Sequence, residues 1–100
     1  MDWQQKAAAL DALSEIKLMI RKPGDWYVSQ SVEVKDGGLL RGTYGNGATP
    51  QEAIEDHWRQ LVHEIGCNYL VVDAGKETRK AVRWNGFMWV DFPERASAAA

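Results

Sequence analysis

The chain has 100 residues, with 12 Lys and Arg against 14 Asp and Glu for a net charge of −2; that is one domain's length, with no surplus of positive charge to bind nucleic acid indiscriminately. Hydrophobic residues make up 45% and charged residues 26%, the mix of a soluble globular domain, and no stretch approaches the ~18 uninterrupted apolar residues of a membrane span. The single cysteine, Cys67, excludes an internal disulfide and a cysteine-based metal cluster.

Met1-Asp2-Trp3 opens on an acid, and no apolar run follows. The sequence therefore predicts a cytoplasmic protein without a secretory signal. Residues 3–21 contain neither Gly nor Pro and predict the first helix. At about 100° per residue, Ala9, Leu13, Ile16 and Ile20 share one face, with Leu10 and Ala12 on its flanks. Gln4, Asp11 and Glu15 lie opposite, and Leu18 falls among them, out of place on a face that meets water. Pro23-Gly24 ends the helix.

Residues 26–35 alternate. Trp26, Val28, Gln30, Val32 and Val34 point one way and Tyr27, Ser29, Ser31, Glu33 and Lys35 the other, the period of a half-buried strand. Asp36-Gly37-Gly38 predicts a hairpin turn into a second strand over 39–44. Gly45-Asn46-Gly47-Ala48 breaks the sheet. Thr49-Pro50-Gln51-Glu52 then starts a helix with a capping hydroxyl, a proline where no N–H is needed, and a glutamate that completes a capping box. Ile54, Trp58, Leu61 and Ile65 form its buried stripe, and Gly66 supplies its stop. The apolar run of 68–74 suits a central strand. Asn85-Gly86 predicts a two-residue hairpin in which Trp84 faces Phe87, Arg83 faces Met88 and Val82 faces Trp89. Val82, Trp84, Phe87 and Trp89 would then share one face. The sum is an α+β domain of order α-β-β-α-β-β-β, an antiparallel five-stranded sheet with two helices packed on one face. It spans residues 1–93, and residues 94–100 read as a flexible tail.

Chemistry is sparse. His57 and His63 stand six apart, on different faces of the second helix, which is not a zinc spacing; they read as ordinary helix-surface or boundary histidines. Cys67 reads as a small buried residue near a helix C-terminus, the wrong end to activate a thiol. No phosphate-binding glycine loop, nucleophile elbow or carboxylate constellation is present. The expectation is a non-enzyme without metal or cofactor. Charge is uneven: residues 49–73 carry five acids against Arg59, and 74–90 carry Lys76, Arg79, Lys80 and Arg83 against Glu77. The five tryptophans read mainly as core, although Trp84 and Trp89 beside those bases also match a single-strand nucleic-acid platform.

Residues 45–54 with Trp58, then Tyr69-Leu70-Val71-Val72, then residues 81–89 resemble a family of small proteins encoded by tailed phages and prophages of proteobacteria. In size and style the chain is similar to anti-CRISPR proteins acting on type I surveillance complexes, a group without a shared motif from which a binding residue could be transferred. The resemblance implies a non-enzymatic inhibitor in the host cytoplasm that binds a host protein or ribonucleoprotein complex and blocks its target DNA. Acidic side chains would meet the partner's Lys and Arg residues. Candidate contact residues are Asp11, Glu15 and the out-of-place Leu18, with Glu33 and Asp36 on the first hairpin. The alternatives are a nucleic-acid module using Lys76, Arg79, Lys80 and Arg83, and an enzyme with His57 or His63 as general base.

Overall fold

The computed structural model describes residues 1–64 and 69–93. Ile65, Gly66, Cys67 and the tail from residue 94 lie outside them, and with them the expected helix stop, the expected buried thiol and the expected flexible end. Helix α1 runs Trp3–Asp11, capped by the Asp2 side chain on the Gln5 amide, with Gln5 reaching back to Asp2. Five strands follow: β1 Lys17–Lys22, β2 Asp25–Ser29, β3 Val32–Asp36, β4 Leu39–Gly42 and β5 Gly45–Gly47. Helix α2 is Pro50–Trp58, prolonged by a π-helical turn over Arg59–His63. Strands β6 Leu70–Val72, β7 Lys80–Trp84 and β8 Trp89–Asp91 complete the fold.

The class is α+β, and every strand pair is antiparallel. The five-stranded sheet has the order β4-β3-β6-β7-β8, with the apolar β6 at its centre. A second sheet, β1-β2-β5, stands beside it. Val32, Val34, Leu70, Val72 and Val82 present one face of the larger sheet to Leu10, Leu13, Ala53, Ile54, Trp58 and Leu61 from the helical side, in one continuous core. Both helices pack there, bridged by Lys6 and Glu55 at 3.0 Å.

The first helix is shorter than its apolar stripe suggests. It ends at Asp11, whose carboxylate accepts the Ile16 amide at 3.0 Å and closes a turn. Leu13 stays in the core, but Ile20 leaves for β1 and lies half exposed. Pro23-Gly24 is a hairpin turn rather than a helix stop, with Lys22 facing Asp25 and Gly24 at φ 78°. The cause is pairing: β2 offers a free edge, and Leu18, Met19 and Ile20 match Val28, Tyr27 and Trp26 across it. The alternating run of 26–35 also divides. Its inward residues Val28, Val32 and Val34 are all buried, yet the chain crosses between sheets at Gln30-Ser31.

Gly45-Asn46-Gly47 does not break the sheet; it forms β5 against β2. Its glycines are required by contact with α2. A Cβ on Gly45 would lie 2.1 Å from the Ala53 carbonyl oxygen, and one on Gly47 would lie 2.4 Å from Glu52 Cβ. Thr49 Oγ1 caps α2 by accepting the Glu52 amide at 3.1 Å, while Glu52 Oε1 accepts the amide of Ala48, one residue earlier than a capping box requires.

The last hairpin is shifted by one pair. Trp84 faces Trp89 and Arg83 faces Val90, so the loop holds Asn85, Gly86, Phe87 and Met88. The Asn85 side chain accepts the Phe87 and Met88 amides and locks this wider turn. Phe87 therefore leaves the sheet and is 89% exposed.

Candidate docking surface

Strand β1 is the outer edge of the three-stranded sheet. Its six residues, Lys-Leu-Met-Ile-Arg-Lys, are all exposed. Leu18 is 38%, Met19 50% and Ile20 51% exposed. Leu18 and Ile20 share the face of Val28, Gly45 and Gly47, the face on which α2 packs; α2 covers β2 and β5 but does not extend over β1.

The opposite face is organised by Tyr27. Its hydroxyl donates to Met19 Sδ at 3.3 Å, and its ring meets Tyr44 edge-on at 6.4 Å. The Arg21 guanidinium lies 4.5 Å above the Tyr27 ring centre, a cation–π contact. Arg21 also donates to the Asn46 side chain and lies 3.5 Å from the Asp25 carboxylate. Leu18 and Ile20 thus stand on a hairpin braced from behind, with Met19 part of the brace, rather than on a loose loop.

Next to β1, at the junction of the two sheets, lies an open cleft of about 550 Å³ lined by Glu15, Lys17, Ser31, Glu33, Thr43 and Lys76 among others. Asp73 forms part of its wall at φ 54°. Hydrogen bonds from Thr78 and Ser31, with nearby Lys76 and Lys80, hold its carboxyl below the ordinary range despite some opposing burial.

The five acidic and apolar candidates do not converge. Glu15 and Glu33 share the cleft wall, and Leu18 adjoins it through Lys17. Asp11 is occupied in closing its turn. Asp36 sits at the β3–β4 hairpin, 3.6 Å from Arg41. Sequence reasoning missed Met19, Ile20, Arg21, Tyr27 and Tyr44. The available signal was Leu18, which fits no helical face, followed by Pro-Gly and a strand.

The basic candidates are separated from the tryptophans. Trp84 and Trp89 turn inward, with ring centres 5.0 Å apart and 4.9 and 5.9 Å from Trp58. Trp89 Nε1 donates to the Ala9 carbonyl at 2.8 Å. Arg83 alternates to the other face of β7. Lys76 lies 4.0 Å from Asp73, and Arg79 and Lys80 lead into β7. No stacking platform is formed by these residues together.

The histidines differ from expectation. His57 is not at the surface: it is fully buried on α2. Gln30 Nε2 donates to the Leu10 and Ser14 carbonyls at 2.9 and 3.0 Å, so its Oε1 faces His57 Nε2 at 2.9 Å and accepts that N–H. Nδ1 is then a bare buried acceptor. Burial pushes the His57 pKa down to about 4 against the opposing pull of Asp56. Burial alone would raise Asp56, but the Asn46 amide, Arg59 and Gln60 outweigh it and hold the carboxylate ionised. His63 is exposed six residues further on, and the two rings do not meet. Comparison with protein-family models, curated proteins and solved structures finds no match.

Proposed function

We propose that the protein is a non-enzymatic inhibitor that occupies a site on a host protein or ribonucleoprotein complex. From the resemblance of residues 45–54, 69–72 and 81–89 we take it as phage-encoded, with a type I CRISPR surveillance complex as target and blocked target-DNA binding as the effect. The observation that carries the binding role is β1: three adjacent apolar side chains exposed on a braced edge strand. Leu18 and Ile20 on one face and Met19 on the other leave apolar surface along both sides of this edge, where an unpaired strand can receive another chain. Glu15 and Glu33, in the adjoining cleft, are suited to basic side chains that otherwise hold phosphate. The nucleic-acid alternative lacks its aromatic half, because Trp84 and Trp89 are spent on the core.

The test is direct. Purified surveillance complex is mixed with labelled target DNA and increasing amounts of the protein. The expected result is loss of DNA binding at stoichiometric protein, with no loss for a Leu18→Asp/Ile20→Asp variant. Undiminished DNA binding, with no protein retained on the complex, overturns the assignment of this target. A salt-sensitive gel shift by the protein alone would favour the nucleic-acid reading instead.

A further inference from the structure

We infer that β1 receives an extended segment of a protein partner as an added antiparallel or parallel strand, and that this segment carries carboxylates at its ends and apolar side chains between. The inference deepens the docking role proposed above and rests on it. At six residues β1 is the longest strand among the described residues; the other sheet edges, β4, β5 and β8, have four, three and three. No proline interrupts it, and among the described residues no strand pairs with its outer side. A register shift between Ile20 and Lys22 leaves Lys17–Ile20 as the regular stretch. Edge strands with exposed backbone donors and acceptors are the receptors for strand addition, with alternate side chains setting specificity.

Charge decides the occupant. The strand begins at Lys17 and ends at Arg21-Lys22. Arg21 is already engaged by Asp25, Tyr27 and Asn46. Lys17 and Lys22 enter no ion pair among the described residues. A second copy fits badly. Antiparallel self-pairing about the strand centre puts Lys17 opposite Arg21 or Lys22, and parallel pairing puts each lysine beside its own counterpart. Like charges facing across strands repel, and opposite charges attract. A partner strand with acids at both ends meets both lysines and covers Leu18, Met19 and Ile20 with its middle.

The test uses the whole protein, isotope-labelled, and three capped peptide probes followed by amide chemical shifts and hydrogen exchange. The probes are Glu-Val-Thr-Val-Thr-Val-Glu, its counterpart with Lys at both ends, and the acidic peptide with alternate backbone amides methylated. The acidic peptide is expected to shift and protect the amides of β1 saturably. The lysine-ended peptide should bind about tenfold more weakly, and the methylated peptide should not bind. Absence of any β1 response at saturating acidic peptide, equal binding of the lysine-ended peptide, or unimpaired binding of the methylated one overturns the inference. So does concentration-dependent dimerisation that protects β1. Each failure leaves the surveillance-complex assay free to succeed, because that assay does not depend on how β1 is engaged.

Discussion

Acid should unfold this protein through one buried imidazole. His57 is held neutral, with its pKa near 4 against an ordinary 6.5, because a proton on Nδ1 would sit in the core without an acceptor. The unfolded chain takes up that proton first. The stability tied to neutral His57 is therefore complete above pH 6.5, falls as pH drops toward 4, and is flat below, where both states are protonated. Moving from pH 7.5 to 4.5 should remove about 2.5 kcal/mol and lower Tm by roughly 10–20 °C in a domain of this size. The assay is urea unfolding across that range for the wild type and His57→Gln, which keeps an amide for Gln30 but loses the titrating ring. Asp56 and Asp73, held below the ordinary carboxylate range, lose their contributions only at lower pH, and they do so in both proteins. The wild type should show the slope between pH 6.5 and 4 and the variant should lack it. Parallel curves, or an imidazole resonance of His57 titrating near 6.5, would refute the reasoning.

Three further outcomes follow from the packing. Gly45→Ala drives a Cβ into the α2 backbone at 2.1 Å and should cost roughly 3 kcal/mol or more, whereas Gly38→Ala, in open space, should stay within about 0.5 kcal/mol; thermal melts distinguish them. Trp89→Phe leaves the Ala9 carbonyl unpaired beneath the hairpin and should destabilise by about 1–3 kcal/mol in urea titration. Thr49→Ala removes the oxygen that accepts the Glu52 amide and should cost about 1 kcal/mol, most of it restored by Thr49→Ser.

The second half of the fold is legible because local signals agree with tertiary context. Thr49-Pro50, the stripe Ile54, Trp58 and Leu61, and the apolar 70–72 each take the structure their chemistry favours. Residues 17–22 are the opposite case. Leu, Met, Arg and Lys have good helix propensity, and Ile16 and Ile20 extend the stripe of Ala9 and Leu13. The β2 edge, supplied only after the chain turns at Pro23-Gly24, overrides that preference. Leu18 was legible as exposed for the wrong local reason; Met19 and Ile20 were hidden because a helical wheel buries one of them. The Asn85-Gly86 dipeptide suggested the tightest hairpin, but the Asn85 side chain spends its oxygen on two amides and widens the loop. His57 could not be placed from spacing alone, since its burial goes with a hydrogen bond to Gln30, which reaches it from the crossing between β2 and β3.

The most direct measurement compares retention of the purified surveillance complex by three immobilised proteins: the wild type, Leu18→Asp/Ile20→Asp and Phe87→Asp. Phe87 is the most exposed large apolar side chain of the described residues and stands on the far hairpin loop, so it controls for loss of apolar surface as such. With all three melting alike, the complex should be retained by the wild type and Phe87→Asp and released by the β1 variant. Equal retention by all three, or selective loss with Phe87→Asp, would contradict β1 as the docking strand.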